Sequence, residues 1–88
     1  MKIENDGKRF YAKTEHGEAE LSYRVIGSVI SMYHTFTPDQ DRGKGIAEKL
    51  ADEAFAFAIK NKLRVRPDCS YIQHYISVHE DMRKYAAQ

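Results

Sequence analysis

The strongest constraint on the fold is a change of hydrophobic period on either side of Pro38. Before it, residues 19–25 carry an apolar side chain at every second position, which is typical of a half-buried antiparallel strand. After it, apolar residues recur at helical spacings, at Ile46, Ala47, Leu50, Ala51, Ala54, Phe57 and Ala58. Leu63–Arg66 then predicts a further strand, which Pro67 stops. A strand, a helix and a strand in this order predict a right-handed crossover between two parallel strands.

Two more strands are predicted before the helix. Asn5-Asp6-Gly7 and Glu15–Glu18 have turn chemistry, and the β-forming run between them predicts a first strand at residues 9–13. Gly27-Ser28 ends the alternating run, and Val29–Phe36 is β-rich and apolar in patches, which suits a more central strand. The chain up to Pro38 therefore predicts a three-stranded meander.

A second helix is predicted after the crossover. Ser70 and Gln73 have the spacing of a capping box, so this helix should begin near Ser70 and run, with a break near His79, to Tyr85. We therefore predict a single domain over residues 1–88 of the α/β (α+β) class. Its order is β-β-β-α-β-α, an antiparallel meander with one parallel βαβ crossover.

Composition excludes several classes of protein. The 88 residues carry a net charge of +1, which indicates neither a general nucleic-acid binder nor a membrane-surface protein. The single cysteine, Cys69, excludes an internal disulfide and fits a reducing compartment, and no Cys/His spacing predicts a zinc site. The polar N-terminus lacks a signal-peptide core, and no apolar run approaches membrane-spanning length. These features predict a cytoplasmic protein without a metal.

The stretch Gln40–Ala47 is the main functional signal. Its sequence, Gln-Asp-Arg-Gly-Lys-Gly-Ile-Ala, puts two glycines and positive charge at a helix start, where unpaired N–H groups and the helix dipole favour phosphate. A Walker loop needs a hydroxyl residue after Lys44, but Gly45 follows. A dinucleotide fingerprint needs a third glycine at the position of Glu48. Both familiar phosphate loops are therefore excluded.

The same stretch resembles the acyl-CoA loop of the GCN5-related N-acetyltransferases (GNAT). Their pattern, Gln/Arg-x-x-Gly-x-Gly/Ala, is matched by Gln40, Gly43 and Gly45 between a strand and a helix. The whole chain is similar to a minimal branch, the small YjdJ/NATD1-like domains, through His34-Thr35 and Cys69-Ser70-Tyr71. It departs from that branch at Ile72–His74 and in a short C-terminal tail, which leaves the acceptor side open.

The resemblance implies a truncated GNAT-like fold and acetyl-CoA as cosubstrate. In that family the loop amides hold the CoA pyrophosphate, the preceding strand hydrogen-bonds the pantetheine arm, and the flanking strands splay around the thioester. For this chain it implies these cofactor-binding residues: Thr35, Phe36, Gln40, Asp41, Arg42, Gly43, Lys44, Gly45, Ile46 and Ala47. Of the two cations, Arg42 and Lys44, one is expected to assist a phosphate.

Two residues are candidates for catalysis. Cys69 precedes a predicted helix start, which favours the thiolate, so it could accept the acetyl group, although a lone cysteine is most often a small buried apolar residue. His34 lies near a strand end beside the loop and could act as general base, although it is placed on an apolar face with Ile30, Met32 and Phe36. Tyr71 or Tyr75 could protonate the leaving thiolate, with core packing as the simpler interpretation.

The function expected from these features is acetyl-CoA-dependent transfer of acetyl to an amine. Direct attack of the amine on the thioester is the family's usual route. A CoA-binding module that acts through a protein partner without turnover is the main alternative, and a domain for another phosphorylated ligand is a third. The sequence identifies neither the acceptor nor the oligomeric state, and a homo-oligomer could complete the acceptor side.

Overall fold

The computed structural model describes residues 1–87, which form one mixed sheet with helices packed on one face. The strands are β1 Glu4–Asn5, β2 Arg9–Thr14, β3 Gly17–Ile26, β4 Val29–Phe36 and β5 Arg64–Pro67, in that spatial order. Strands β1 to β4 are antiparallel neighbours and β5 is parallel to β4. The helices are α1 Ile46–Lys60 and α2 Ser70–Val78, with 3₁₀ turns at Asp39–Asp41 and Glu80–Tyr85.

This architecture confirms the predicted fold class and the parallel crossover, and it adds one element. Residues 4 and 5 pair with Tyr11 and Phe10 as a two-residue edge strand, so the meander has four strands instead of three. The predicted turn therefore lies one residue later, where the Asp6 carboxylate accepts the backbone N–H groups of Lys8 and Arg9, both at 2.9 Å.

The core lies between the sheet and α1. Alternation in β3 buries Ala19, Leu21 and Tyr23 as predicted, although Val25, the last residue of that face, is 45% exposed. Helix α1 buries Ile46, Leu50, Ala51, Ala54, Phe55 and Ala58. Phe55 was not expected on the buried side. It is buried because α2 covers a second side of α1, where the Phe55 ring lies 4.9 Å from that of Tyr75. Phe57 is half-buried, with its ring against those of Phe10 and Tyr23.

A β-bulge changes the face on which the end of β4 lies. Ser22 pairs with His34 and the next residue, Tyr23, pairs with Met32, so Tyr33 is the extra residue on β4. Beyond the bulge, Thr35 is opposite the buried Leu21, whereas His34 is on the other face of the sheet. The prediction that His34 shares a face with Ile30 and Met32 is wrong, because the inserted residue reverses the alternation.

Helix α2 begins at Ser70 as predicted, but it lacks the capping box that the spacing of Ser70 and Gln73 indicated. Cys69 is the N-cap residue and Ser70 is already helical, and in the described part of the chain no side chain caps the helix. The Gln73 side chain donates to the carbonyl of Pro67 at 3.2 Å, so the capping box does not form. The break at His79 is confirmed, since α2 ends at Val78. Within residues 1–87, neither helix is long and apolar enough to cross a membrane.

Candidate functional site

A groove opens where β4 and β5 separate. The two strands pair from Val29 and Arg64 to Met32 and Pro67, after which β4 continues to Phe36 with no strand of residues 1–87 paired on that edge. The groove has a volume of about 500 Å³ and lies among β4, the loop before α1 and the start of α2. It is lined by Thr35, Phe36, Thr37, Asp41, Arg42, Gly43, Gly45, Ile46, Ala47, Glu48, Ser70 and Tyr71.

The loop before α1 presents backbone donors to this groove. Gly43 and Gly45 have φ of 84° and 77°, a left-handed conformation that glycine adopts without steric cost. The first helical bond of α1 runs from Lys49 N–H to Gly45 C=O at 3.2 Å. Among residues 1–87, the N–H groups of residues 43–48 therefore donate to no backbone carbonyl. Donors of this kind, at the positive end of a 15-residue helix, fit an anionic phosphate group.

The two cations of the loop are placed differently. Lys44 Nζ lies 2.9 Å from Asp41 Oδ1 and 3.2 Å from Glu15 Oε1, and these hydrogen bonds, Asp41 first, raise the pKa of Lys44. Lys44 does not line the groove. Arg42 does, and its Nε lies 3.4 Å from the carbonyl of Thr37 and 3.4 Å from Asp39 Oδ1. Arg42 is thus the cation that can reach a phosphate in the groove.

Not every residue predicted to bind CoA lies at the groove. Gln40 is exposed and outside it, and the Asp41 carboxylate is turned toward His16 and Lys44. Besides Asp41, the groove is lined by seven of the residues predicted to bind CoA: Thr35, Phe36, Arg42, Gly43, Gly45, Ile46 and Ala47. Prediction missed Thr37, Glu48 and Ser70 as lining residues. Glu48 had a detectable signal, since it stands one helical turn after Gly45 on the same side of α1.

The two catalytic candidates lie on opposite sides of β4. Cys69 packs against the core, and its Sγ lies 3.4 Å from Thr35 Oγ1, although Cys69 itself does not line the groove. The His34 side chain is 53% exposed, and its Nε2 lies 3.5 Å from Glu20 Oε2 on the open face of the sheet. The structure therefore brings Cys69 to Thr35 and does not bring His34 to Cys69.

Two tyrosines of α2 have different surroundings. Tyr71 lines the groove, and burial, followed by the nearby Glu48 and Asp52 charges, raises the pKa of its phenol. This phenol keeps its proton at neutral pH and can donate it. The Tyr75 hydroxyl instead donates to Asp52 Oδ1 at 2.5 Å, and burial together with that bond raises the pKa of Tyr75 further. Tyr75 is thus engaged within the core, whereas Tyr71 is available to a ligand.

Parallel strands that separate beside a glycine loop define an α+β domain with an open, anion-binding groove, and comparisons with known proteins identify its family. The family described as GCN5-related N-acetyl-transferase matches residues 9–85. Protein NATD1 of Gallus gallus is 36% identical over 81 residues, covering 86% of this chain and 74% of its own length. Protein NATD1 of Homo sapiens is 35% identical over 81 residues, covering 86% and 72%.

A solved structure has a similar fold. The NMR solution structure of a GCN5-like protein from Staphylococcus aureus superposes with a TM-score of 0.80 at 25% identity, covering 98% of this chain and 87% of that one. The chain belongs to the GCN5-related N-acetyltransferase family. Its fold and family therefore indicate an acyl-transfer domain.

Proposed function

We propose that this protein is an acetyl-CoA-dependent N-acetyltransferase. One juxtaposition carries the proposal: the same groove is lined by the unpaired amides of the glycine loop and by Thr35 and Tyr71 at the separated strands. The loop supplies donors for the CoA pyrophosphate, and the separated strands supply room for an acyl chain with a proton donor beside it. Space around the loop supports this fit, since a Cβ built on Gly43 or Gly45 would meet no atom of the described residues within 4 Å.

The chain's own groups would bind the cosubstrate in two places. The N–H groups of residues 43–47 would hold the pyrophosphate, assisted by the Arg42 guanidinium. The unpaired edge of β4 at Thr35 and Phe36 would hydrogen-bond the pantetheine arm. Two carboxylates near the groove are directed elsewhere, Asp41 to His16 and Lys44, and Glu48 to His79 Nε2 at 3.2 Å. They therefore oppose a bound anion less than their positions alone would indicate.

Acetyl-CoA supplies an activated acetyl group. In the transfer step, the amine nitrogen forms a bond to the acetyl carbon, the C–S bond breaks, and its electron pair leaves on sulfur. The Tyr71 phenol would give its proton to that sulfur. An amine approaching from the open face of the sheet would meet His34, whose Nε2 lies 3.5 Å from Glu20 Oε2 and which could accept the ammonium proton before the attack. The second nitrogen proton, lost as the amide forms, would return through solvent to the Tyr71 phenolate. Preorganised N–H donors of the free β4 edge would stabilise the developing oxyanion. We propose direct transfer to the amine, with Cys69 supporting Thr35 from behind.

Calorimetry with acetyl-CoA, CoA and ATP tests the binding step. We expect CoA and acetyl-CoA to bind and ATP, which lacks the pantetheine arm, to bind much more weakly. Absence of CoA binding, or equal binding of ATP, would contradict the proposal and support a site for another phosphorylated ligand.

Labelled acetyl-CoA with a panel of small amines and peptides tests turnover. We expect label on an amine and none retained on the protein. Binding without transfer to any acceptor would support the alternative of a non-catalytic acyl-CoA module acting through a protein partner. The cytoplasmic location, the homo-oligomer and the absence of a metal stay predictions, which fractionation, sedimentation and metal analysis of the purified protein can test.

A further inference from the structure

The turn between β2 and β3 makes an unexpected contact with the phosphate loop. Asp41, in the 3₁₀ turn just before Gly43, is only 1% exposed. Its carboxylate accepts the backbone N–H of His16 at 3.1 Å and lies 3.0 Å from the Nδ1 of the same residue. Lys44 then joins Asp41 to Glu15 at the same turn. His16 and Glu15 of a hairpin distant in the chain thus contact Asp41 before Gly43 and Lys44 after it.

The geometry fixes the direction of these bonds. Asp41 is ionised, because the hydrogen bond from His16 in the first place, with further bonds that include one from Lys44, holds the pKa of its carboxyl well below the usual range. An ionised carboxylate can only accept, so His16 Nδ1 carries the proton that it shares with Asp41. A buried carboxylate without such donors would be strongly unfavourable, which makes this arrangement specific.

The same hairpin also lies close to Pro38, at the start of the loop. Gly17 follows His16, and a Cβ built on Gly17 would lie 3.2 Å from Cγ of Pro38. The hairpin therefore abuts Pro38 and binds Asp41. Its own residues do not line the groove.

We propose that His16 and Asp41 are positioning residues that set the conformation of the phosphate loop at Gly43–Ala47. This inference rests on the proposed function, because it assumes that the loop binds the CoA pyrophosphate. Among residues 1–87, the titratable groups that hydrogen-bond the Asp41 carboxylate are His16 from the hairpin and Lys44 from the loop, with Glu15 beside Lys44. His16 does not line the groove and its side chain contacts Asp41, so we expect its effect on phosphate binding to pass through Asp41.

Substitution of His16 tests this inference with a matched pair. His16→Ala removes the side-chain donor, whereas His16→Asn keeps an N–H donor close to the position of Nδ1. The ligands are CoA and pantetheine, which lacks the pyrophosphate, and NMR titration of the ¹⁵N-labelled chain measures both affinities. We expect His16→Ala to weaken CoA binding about tenfold, the size expected for one hydrogen bond to a charged group, with the Gly43 and Gly45 amide signals displaced. Pantetheine affinity should stay unchanged, and His16→Asn should bind CoA like the wild type.

Several outcomes would overturn the inference. They are wild-type CoA affinity in His16→Ala, an equal loss for CoA and pantetheine, or no rescue by His16→Asn. Asp41→Asn, with the exposed Asp81→Asn as control, provides the second variant pair and should show the same selective loss. Failure of both His16→Ala and Asp41→Asn to fold would also overturn it, since the network would then hold the chain together. Wild-type protein that binds no CoA would instead defeat the proposed function itself.

Discussion

The Asp41 carboxylate is the buried charge on which the loop depends. In an unfolded chain it would be solvated, with an ordinary pKa, whereas in the fold the bond from His16 and further donors lower its pKa. A group whose pKa is lower in the folded state stabilises the fold at every pH above its unfolded pKa, near 3.8. That contribution is lost as the pH falls through the folded value.

Asp41→Asn should therefore destabilise the protein in a pH-dependent way. We expect the urea midpoint to fall clearly at about pH 7 and about pH 5, where the wild-type carboxylate is ionised in both states. The difference between variant and wild type should shrink as the pH drops below about 4, where the unfolded wild type takes up a proton. Asp81→Asn, a change at an exposed side chain, should follow the wild type at every pH. A difference that is independent of pH would indicate lost packing instead of lost charge.

We expect substitutions of Tyr71 and Cys69 to have opposite effects on acetyl transfer. Tyr71→Phe removes the proton donor at the groove, so kcat should fall about 10²-fold while CoA affinity is retained. Cys69→Ala should keep transfer activity, because its thiol lies behind Thr35 and outside the groove. Steady-state kinetics with a shared acceptor measure both variants. Loss of transfer in Cys69→Ala with normal CoA binding would show that the thiol takes part in the chemistry.

For single residues, the sequence predicted which side chains lie near the groove, but it predicted few of their contacts. The pairing of Cys69 with Thr35 follows from the crossover, which brings the ends of parallel strands together. The face of His34 depends on a bulged register with β3, and no local pattern in β4 records that register. The burial of Asp41 depends on His16, which is 25 positions away in the chain.

The loop between β4 and α1 is the element that makes the groove. Its glycines were predicted from the motif, and their left-handed φ values follow from the need to turn a strand into a helix while leaving amides unpaired. The start of α2 at Ser70 was predicted, but its capping was not. Cys69 is the N-cap residue, and the Gln73 side chain donates to Pro67 C=O instead of closing a capping box with Ser70.

Gly45→Ala tests the loop as an element. A Cβ at this position meets no atom within 4 Å, so the cost comes from φ alone and should lower the free energy of unfolding by about 1–2 kcal/mol. Gly27→Ala is a matched control, with φ of 62° and equally open space in the turn between β3 and β4. Both variants should lose similar stability in urea unfolding, and only Gly45→Ala should weaken CoA binding. Equal CoA affinity in the two variants would argue against the loop as the phosphate site.

On the scale of the whole molecule, the crossover was the most predictable feature. The spacing of apolar residues changes from a strand period to a helical period at Pro38. Because many residues contribute to this pattern, the order of strands and helices follows from it. The two-residue strand β1 has too few residues to carry a period. Phe55 could not be assigned from the pattern of α1, because its burial requires α2, a later element, to cover it.

The core joins all the longer elements into one unit, which makes cooperative unfolding the last prediction. Leu50 of α1 is 1% exposed and belongs to the same cluster as residues from β2, β3, β4, β5 and α2. Leu50→Ala should lower the free energy of unfolding by about 2–5 kcal/mol, a large share of the total for a domain of this size. The exposed neighbour Lys49→Ala should change it by less than about 0.5 kcal/mol. Because the groove is built on the same core, circular dichroism and tyrosine fluorescence should give one shared midpoint in both variants. Separate midpoints would mean that the sheet and the helices beside the groove unfold independently, and that the loop could then open without loss of the sheet.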